Sequence, residues 1–213
     1  MKFSNTSVMN FENAFRGLRN PKNSWDRSDS GKLYWDGTWY HEELKNYFTE
    51  YGVNFYIGEN DMKLAQTLIK AGNEHRKFMR QIFVSVDITA PLYWWKEFDT
   101  YKVGTVANST STMHKLATTP ITLDCFEIDD YCSDIPVEKV DQSAVVNPEF
   151  IDHWHMDMFT EDLINKLEDL RQAYLKTKDK RYWKELVRWL PESWLQTRTV
   201  TMNYENILAM VHQ

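Results

Sequence analysis

The chain is short of the residues that mark several protein classes. Its 213 residues include only seven glycines, six prolines and two cysteines. That scarcity excludes collagen-like and low-complexity architectures. Cys125 and Cys132 stand alone, with no C-x-x-C pattern, so neither a disulfide framework nor a zinc ribbon is expected, and both read as reduced thiols. No run of 18 apolar residues occurs, and the N-terminal MKFSNTSVMNFENAF has no apolar stretch of signal-peptide length. The expectation is a soluble cytoplasmic protein with no membrane contact. Positive charge is also in deficit. Lys and Arg number 25 against 31 Asp and Glu, a net charge of −6. General nucleic-acid binding rests on neutralising phosphates, so it is not expected here, although a local basic pocket is compatible with the total. The G-x-S-x-G, Walker and G-x-G-x-x-G signatures are absent.

What the chain has in abundance is aromatic surface, 15% of residues with nine tryptophans. Such residues build thick cores and adhesive interfaces, so a homo-oligomer is expected. The length suits one domain, 1–213, able to bury roughly 70% of its unfolded surface. Val8, Phe11, Phe15 and Leu18 recur at helical steps and predict an N-terminal helix within residues 1–20, broken at Asn20-Pro21. An aromatic loop follows over 21–39, then a short helix from His41 to Phe48, the two completing an N-terminal region 1–59. The next helix is predicted from Asp61 to Ala71, capped by Asn60 or Asp61 and ended by Gly72. Gln81–Ile88 reads as a half-buried strand. Pro91 opens a buried, Trp-rich helix reaching Thr100.

Residues 102–114 read as a polar loop rich in Thr, Ser and Asn, and 118–148 as an acidic, irregular insertion. Two helices then follow, Phe159–Leu175 capped by Thr160 and Lys180–Leu190 ended by Pro191. A strand-like run from Gln196 passes into a helix at Asn203. His153, His155 and Asp157 offer only one pair on a shared helical face and no third ligand, so no metal site is expected.

One order of elements carries a family resemblance. The helix ending Leu-Ile-Lys-Ala-Gly-Asn-Glu-His75 precedes the strand, Ala90-Pro91, a helix and the Thr/Ser segment. Leu190-Pro191 stands ten residues before Thr201-Met-Asn203 and a closing apolar helix. Over residues 60–116 and 185–210 this resembles the flavin-dependent thymidylate synthase (ThyX) family. There a helix ending in Gly-His-Glu precedes a strand, a helix and the signature R-H-R-x-x-S-x-N-E-x-S-x-R-Y, and L-P is followed by T-x-N. The resemblance implies an α+β, ThyX-like fold with a mixed or antiparallel sheet packed with long helices. It further implies a homotetramer with sites shared between subunits, FAD as cofactor and dUMP as substrate.

Laid on that signature, Thr100–Met113 keeps its length but not its charge. Thr100, Tyr101 and Lys102 stand at R-H-R, Thr105 and Thr110 at the two Ser, Ala107-Asn108 at Asn-Glu, and Thr112 at the phosphate-holding Arg. Glu97 falls at a substrate-contacting Gln. On the flavin side His75 matches a family His, Lys77 stands at a usual Thr, and Thr201 and Asn203 match T-x-N. Glu205 occupies a frequent Arg. Gln196-Thr197 replaces Thr-Arg with Arg198 one step away, and the family's next substrate-binding Arg falls at about Gln213 or beyond. The resemblance thus implies His75, Lys77, Lys102, Asn108 and Asn203 as cofactor contacts, with Glu97, Thr105, Thr110, Thr112 and Arg198 as substrate contacts.

Two phosphorylated ligands bring several negative charges, which planar guanidiniums match best. Removing one partner of a desolvated charge pair costs about 3–5 kcal/mol. With several arginines replaced, tight dUMP binding in the family pose is not expected. The segment remains rich in hydroxyl and amide groups suited to a nucleoside, a sugar or a lightly charged nucleotide. Three readings follow: a divergent protein binding a nucleotide or flavin, an active dUMP methylase, and a nucleotide-sequestering or interaction protein without catalysis.

Overall fold

Val84, Val86, Ile88 and Ala90 are buried while Phe83, Ser85, Asp87 and Thr89 alternate with them toward the other face. This period of two makes Phe83–Pro91 a strand with one core face. The computed structural model describes residues 1–32, 55–101, 103–112, 116–127 and 156–211. The helix expected at His41–Phe48 lies outside the described residues. So do Lys102, Cys132, residues 33–39 of the aromatic loop and 128–148 of the acidic insertion.

In chain order the elements are β1 (Lys2–Met9), α1 (Phe11–Arg19), β2 (Gly31–Lys32), β3 (Phe55–Tyr56), α2 (Glu59–Lys70), β4 (Phe83–Pro91) and α3 (Leu92–Phe98). They continue as β5 (Val106–Ser109), α4 (Met156–Thr177), α5 (Lys180–Arg188), β6 (Leu195–Asn203) and α6 (Tyr204–Val211). Four strands form one sheet in the order β1-β4-β6-β5, and β2 pairs antiparallel with β3. Ser85 meets Thr201, Asp87 meets Thr199 and Thr89 meets Thr197. The falling number opposite the rising one shows that β4 and β6 are antiparallel. The α+β class read from the sequence is the one observed.

The chain divides into two compact units. The N-terminal unit comprises Lys2–Ile88, Phe98–Asn108 and the segment from Arg198 onward. Its core gathers Ala14, Phe15 and Leu18 of α1, Ala65 of α2, and Phe78, Met79 and Ile82 of the following turn and strand. One ion pair is built into this unit. Asp61 is fully buried, and Arg19 donates to its Oδ1 from Nε at 2.7 Å. Ser28 Oγ and the Ser30 amide reach its Oδ2 at 2.6 and 3.2 Å. Burial pushes the Asp61 carboxyl up, but the hydrogen bonds from Ser28, Ser30 and Arg19 outweigh it and hold the group below the usual carboxylate range.

The cap of α2 also comes from afar. Asp29 Oδ2 and Oδ1 accept from the Asn60 and Asp61 amides at 2.9 and 3.1 Å. The sequence had offered Asn60 or Asp61 as caps. Instead the helix starts at Glu59, both residues lie inside it, and a loop carboxylate satisfies its orphan amides. Gly72 takes φ 101° beyond the helix end, as expected of a left-handed cap.

The central unit comprises Thr89–Glu97 and Ser109–Thr197. Its core joins Leu116, Ile121 and Phe126 to Leu167 of α4 and Leu186 of α5. Glu168 anchors it: Arg171 donates to both carboxylate oxygens at 2.7 Å, and the Ile121 amide donates at 2.8 Å. Arg171 Nη1 also reaches the Ala117 carbonyl at 3.1 Å.

Four expectations need correction. Residues 2–9 form a strand, and the N-terminal helix begins only at Phe11, because Asn10 turns the chain with φ 74°, a conformation Asn tolerates. The polar segment expected as a loop contains the strand β5, since the Thr110 amide pairs with the Thr197 carbonyl at 2.8 Å and extends the sheet. Thr160 lies within α4 rather than capping it, as the helix starts a turn earlier at Met156. The Trp-rich helix expected to be buried, α3, is so only at Trp95 and Phe98, with Tyr93 48% exposed and Lys96 and Glu97 also exposed. The two later helices and the strand-to-helix passage at Asn203 agree with the sequence reading to within a few residues.

Two outcomes test these anchors. Asp61→Ala leaves Arg19 buried without its anion and lowers unfolding free energy by about 3–5 kcal/mol in urea titration. Arg171 holds the Glu168 carboxyl down to about 2. A depressed carboxylate stabilises fully above its unfolded value near 4.5 and less as pH falls toward 2. The urea midpoint therefore drops across pH 4.5 to 2. Glu168→Gln flattens that fall while lowering stability at neutral pH, by at most about 3 kcal/mol.

Candidate functional site

The residues singled out from the sequence fall into small groups, each within one unit. In the N-terminal unit, His75 and Lys77 line a cleft of about 330 Å³. The end of α1 supplies Gly17 and Leu18 to it, and the turn after α1 supplies Asn20, Pro21 and Lys22. Leu68 of α2, Glu74, Phe78 and Gln81 complete the wall. The lining thus mixes apolar side chains (Leu18, Leu68 and Phe78) with polar ones, a composition common to small-molecule clefts. Lys77 is held by Glu74, Nζ to Oε2 at 2.9 Å, and that contact holds the Glu74 carboxyl below its ordinary range.

Asn203 plays a backbone role. Its Oδ1 accepts from the Asn206 amide at 3.0 Å, while Asn206 Oδ1 accepts from the Asn203 amide at 3.2 Å. This is the reciprocal logic of a capping box at the start of α6. Asn206 Nδ2 also donates to the Val103 carbonyl at 2.7 Å. Gly104 follows with φ 77°, and a Cβ there would meet Asn203 Nδ2 at 2.7 Å. Asn206, with Asn203 packed close to Gly104, therefore clamps the Val103-Gly104 turn. Beside that turn the Thr105 hydroxyl is buried with no hydrogen-bond partner. Asn108 is exposed on β5. Arg198 Nη1 bonds Asp99 Oδ1 at 2.7 Å.

In the central unit, Thr110 and Thr112 are joined by Gln196. Its buried amide donates to the Thr110 carbonyl at 3.0 Å and to Thr112 Oγ1 at 3.1 Å. The Thr197 amide reaches Thr110 Oγ1 at 3.3 Å. Glu97 is exposed in the last turn of α3. Lys102 lies outside the described residues.

Sequence reasoning missed the organising role of Gln196, the clamp by Asn206, and the contributions of Asn20, Lys22 and Gln81 to the cleft. Gln196 and its partners lie 84 and 86 positions apart, so no local spacing could announce them. Among the described residues no cluster of three His, Cys, Asp or Glu could hold a metal ion, and no helix is long and apolar enough to cross a membrane.

Neither a protein-family model nor a curated protein sequence matches the chain. Solved structures do. Thymidylate synthase X from Helicobacter pylori, crystallised with FAD and dUMP, superposes with a TM-score of 0.56 at 14% identity, over 99% of this chain and 82% of that one. A second structure of the same enzyme with FAD and dUMP gives 0.55 at 14% identity, over 98% and 82%. The UMP/dUMP methylase PolB from Streptomyces cacaoi gives 0.49 at 11% identity, over 98% and 76%. The fold is that of ThyX. The arrangement of elements read from residues 60–116 and 185–210 is thus the observed one, and the ThyX-like fold extends over nearly the whole chain.

Glu205, which the resemblance sets at a frequent Arg, pairs with Arg76, whose Nε lies 3.1 Å from its Oε1.

The clamp around Asn203 is directly testable. Asn203→Ala removes a cap worth about 1 kcal/mol. Gly104→Ala adds both a strained φ and a clash, and costs at least as much. Both variants melt earlier, and their effects are sub-additive in the double variant because they act on one contact.

Proposed function

We propose that this chain is a divergent ThyX-like protein that binds a nucleotide or flavin of low net charge and does not methylate dUMP in the manner of its fold relatives. One observation carries the reading. The Lys and Arg among the described candidate contacts, Lys77 and Arg198, each sit at ion-pair distance from an acid of the same chain, Glu74 and Asp99. Bound phosphates need guanidiniums or ammoniums whose charge is not already balanced.

FAD and dUMP are the ligands of the H. pylori structures, so their fit to these residues is the relevant comparison. FAD carries a pyrophosphate and dUMP a phosphate. The donor set here is poor for both in that pose. Asn203 is engaged with Asn206 and packed against the Gly104 turn, and Thr112 takes the place of an Arg. The orphaned Thr105 hydroxyl can donate to, or accept from, one ligand atom. The described residues therefore do not fit a dinucleotide and a nucleoside monophosphate together. They suit a planar ring against the apolar side chains of Leu18, Leu68 and Phe78, with polar edges met by His75, Asn20 and Gln81. A nucleoside or a flavin ring system has that character. In this reading the protein is a cytoplasmic homo-oligomer, a tetramer on the pattern of the fold, with sites near subunit contacts.

Thermal melting across nucleosides, nucleotides, riboflavin and FAD tests the proposal. A fitting ligand at 100 times its dissociation constant adds about 2.7 kcal/mol, roughly a 5–10 °C rise for a chain of this size. The expected responders are ring systems with little charge, and His75→Ala abolishes the rise without lowering the unliganded melting temperature. Joint stabilisation by FAD and dUMP with conversion of dUMP to dTMP would establish the active-synthase reading instead. A flat response to every ligand defeats both.

A further inference from the structure

Glu205 lies in the first turn of α6 and reaches two arginines on the turn that follows α2. Arg76 Nε donates to Oε1 at 3.1 Å. Arg80 Nε donates to Oε2, and its Nη2 lies 3.3 Å from Oε1. The carboxylate is thus gripped from two sides by guanidiniums, and the cluster is left with one unbalanced positive charge. Glu205 and Arg76 are only 18% and 22% exposed, so the grip is partly shielded from water, while Arg80 at 47% faces outward. Each guanidinium carries five N–H donors, and one carboxylate offers about four acceptor positions. Donor capacity therefore exceeds what Glu205 can use. The terminal amino groups of Arg76 donate to nothing among the described residues. Glu74 adds its field at Arg80, but its carboxylate is bonded to Lys77.

Two guanidiniums converging on one oxyanion is the geometry of a phosphate clamp. We propose that Arg76 and Arg80 form a binding site for a phosphate-class anion and that Glu205 is its built-in occupant, closing the clamp to anions from solution. The carboxylate supplies in cis the oxygens that a ligand phosphate would otherwise bring, and it does so at an effective concentration no dilute anion matches. This site is separate from the cleft beside His75 and does not depend on what binds there. It accounts for a chain that carries arginines on the ThyX fold yet presents few of them to a ligand.

Removing the charge of the occupant tests this directly. Glu205→Gln keeps the size of the side chain and lowers its hold on both arginines. The probe is inorganic pyrophosphate, titrated calorimetrically into the full-length protein. Wild-type protein binds it weakly, E205Q gains about tenfold or more in affinity, and adding Arg80→Gln to E205Q removes the gain. Glu205→Asp, which keeps the charge but is too short to bridge both arginines, shows a smaller gain. That variant serves as the reading should E205Q fold poorly. A purely structural bridge predicts the opposite pattern: both Glu205 variants melt earlier and neither binds pyrophosphate better than wild type. That outcome, or a gain that survives Arg80→Gln, overturns the proposal. Melting shifts with nucleosides report on the cleft and pyrophosphate titration on the arginines, so either idea can fail while the other stands.

Discussion

A guanidinium held by a carboxylate of its own chain is the interaction on which this structure depends. Arg19 and Asp61 join α1, the 27–30 loop and α2 in one unit. Arg171 and Glu168 tie α4 to the 117–121 segment in the other. Arg76 and Arg80 converge on Glu205, and Arg198 meets Asp99. Burying a charge is costly unless it is paired and hydrogen-bonded, so each of these contacts constrains which segments can lie beside one another. The same constraint restricts function, because an arginine that satisfies an internal acid is poorly placed to grip a ligand phosphate.

The ThyX fold is retained at 14% identity because its requirements are mostly apolar and geometric. Alternation in β4, the inward face of β6 and the small side chains near Gly104 and Gly72 keep the sheet and its turns. Those demands tolerate many sequences of matching volume and period. Phosphate recognition tolerates few, since it needs particular planar cations at particular positions. A scaffold can therefore persist where its phosphate-binding residues change. The neutral groups left behind, Thr110, Thr112 and Gln196, are joined to one another in a hydrogen-bonded set rather than left as isolated donors.

The ion pair of Glu205 and Arg76 stands close in sequence to the clamp at Asn203. Asn203 matches the family pattern, and its side chain caps α6 and braces the Val103-Gly104 turn. Glu205, acidic where the resemblance expects Arg, forms ionic contacts with Arg76 and Arg80. The residue that keeps the expected identity has a structural use, and so does the one that departs from it. Position in a motif and role in the folded chain are separate facts here.

What the sequence determined by itself was the class of each strongly periodic element. The β4 strand, α2 with its Gly72 end, the two later helices and the passage from β6 into α6 follow from hydrophobic spacing and from local backbone preferences. The absence of arginine from Thr100–Met113 was equally legible, since it needs only residue identities. Tertiary structure decided the rest. An edge strand such as β1 or β5 carries little apolar period and forms because a neighbour offers hydrogen bonds. Asp29 caps α2 from 31 residues away, and Glu205 finds Arg80 across 125 positions. Charge pairing depends on distance in space, which composition and spacing do not encode, so which cations remain open to a ligand becomes visible only once the chain has folded.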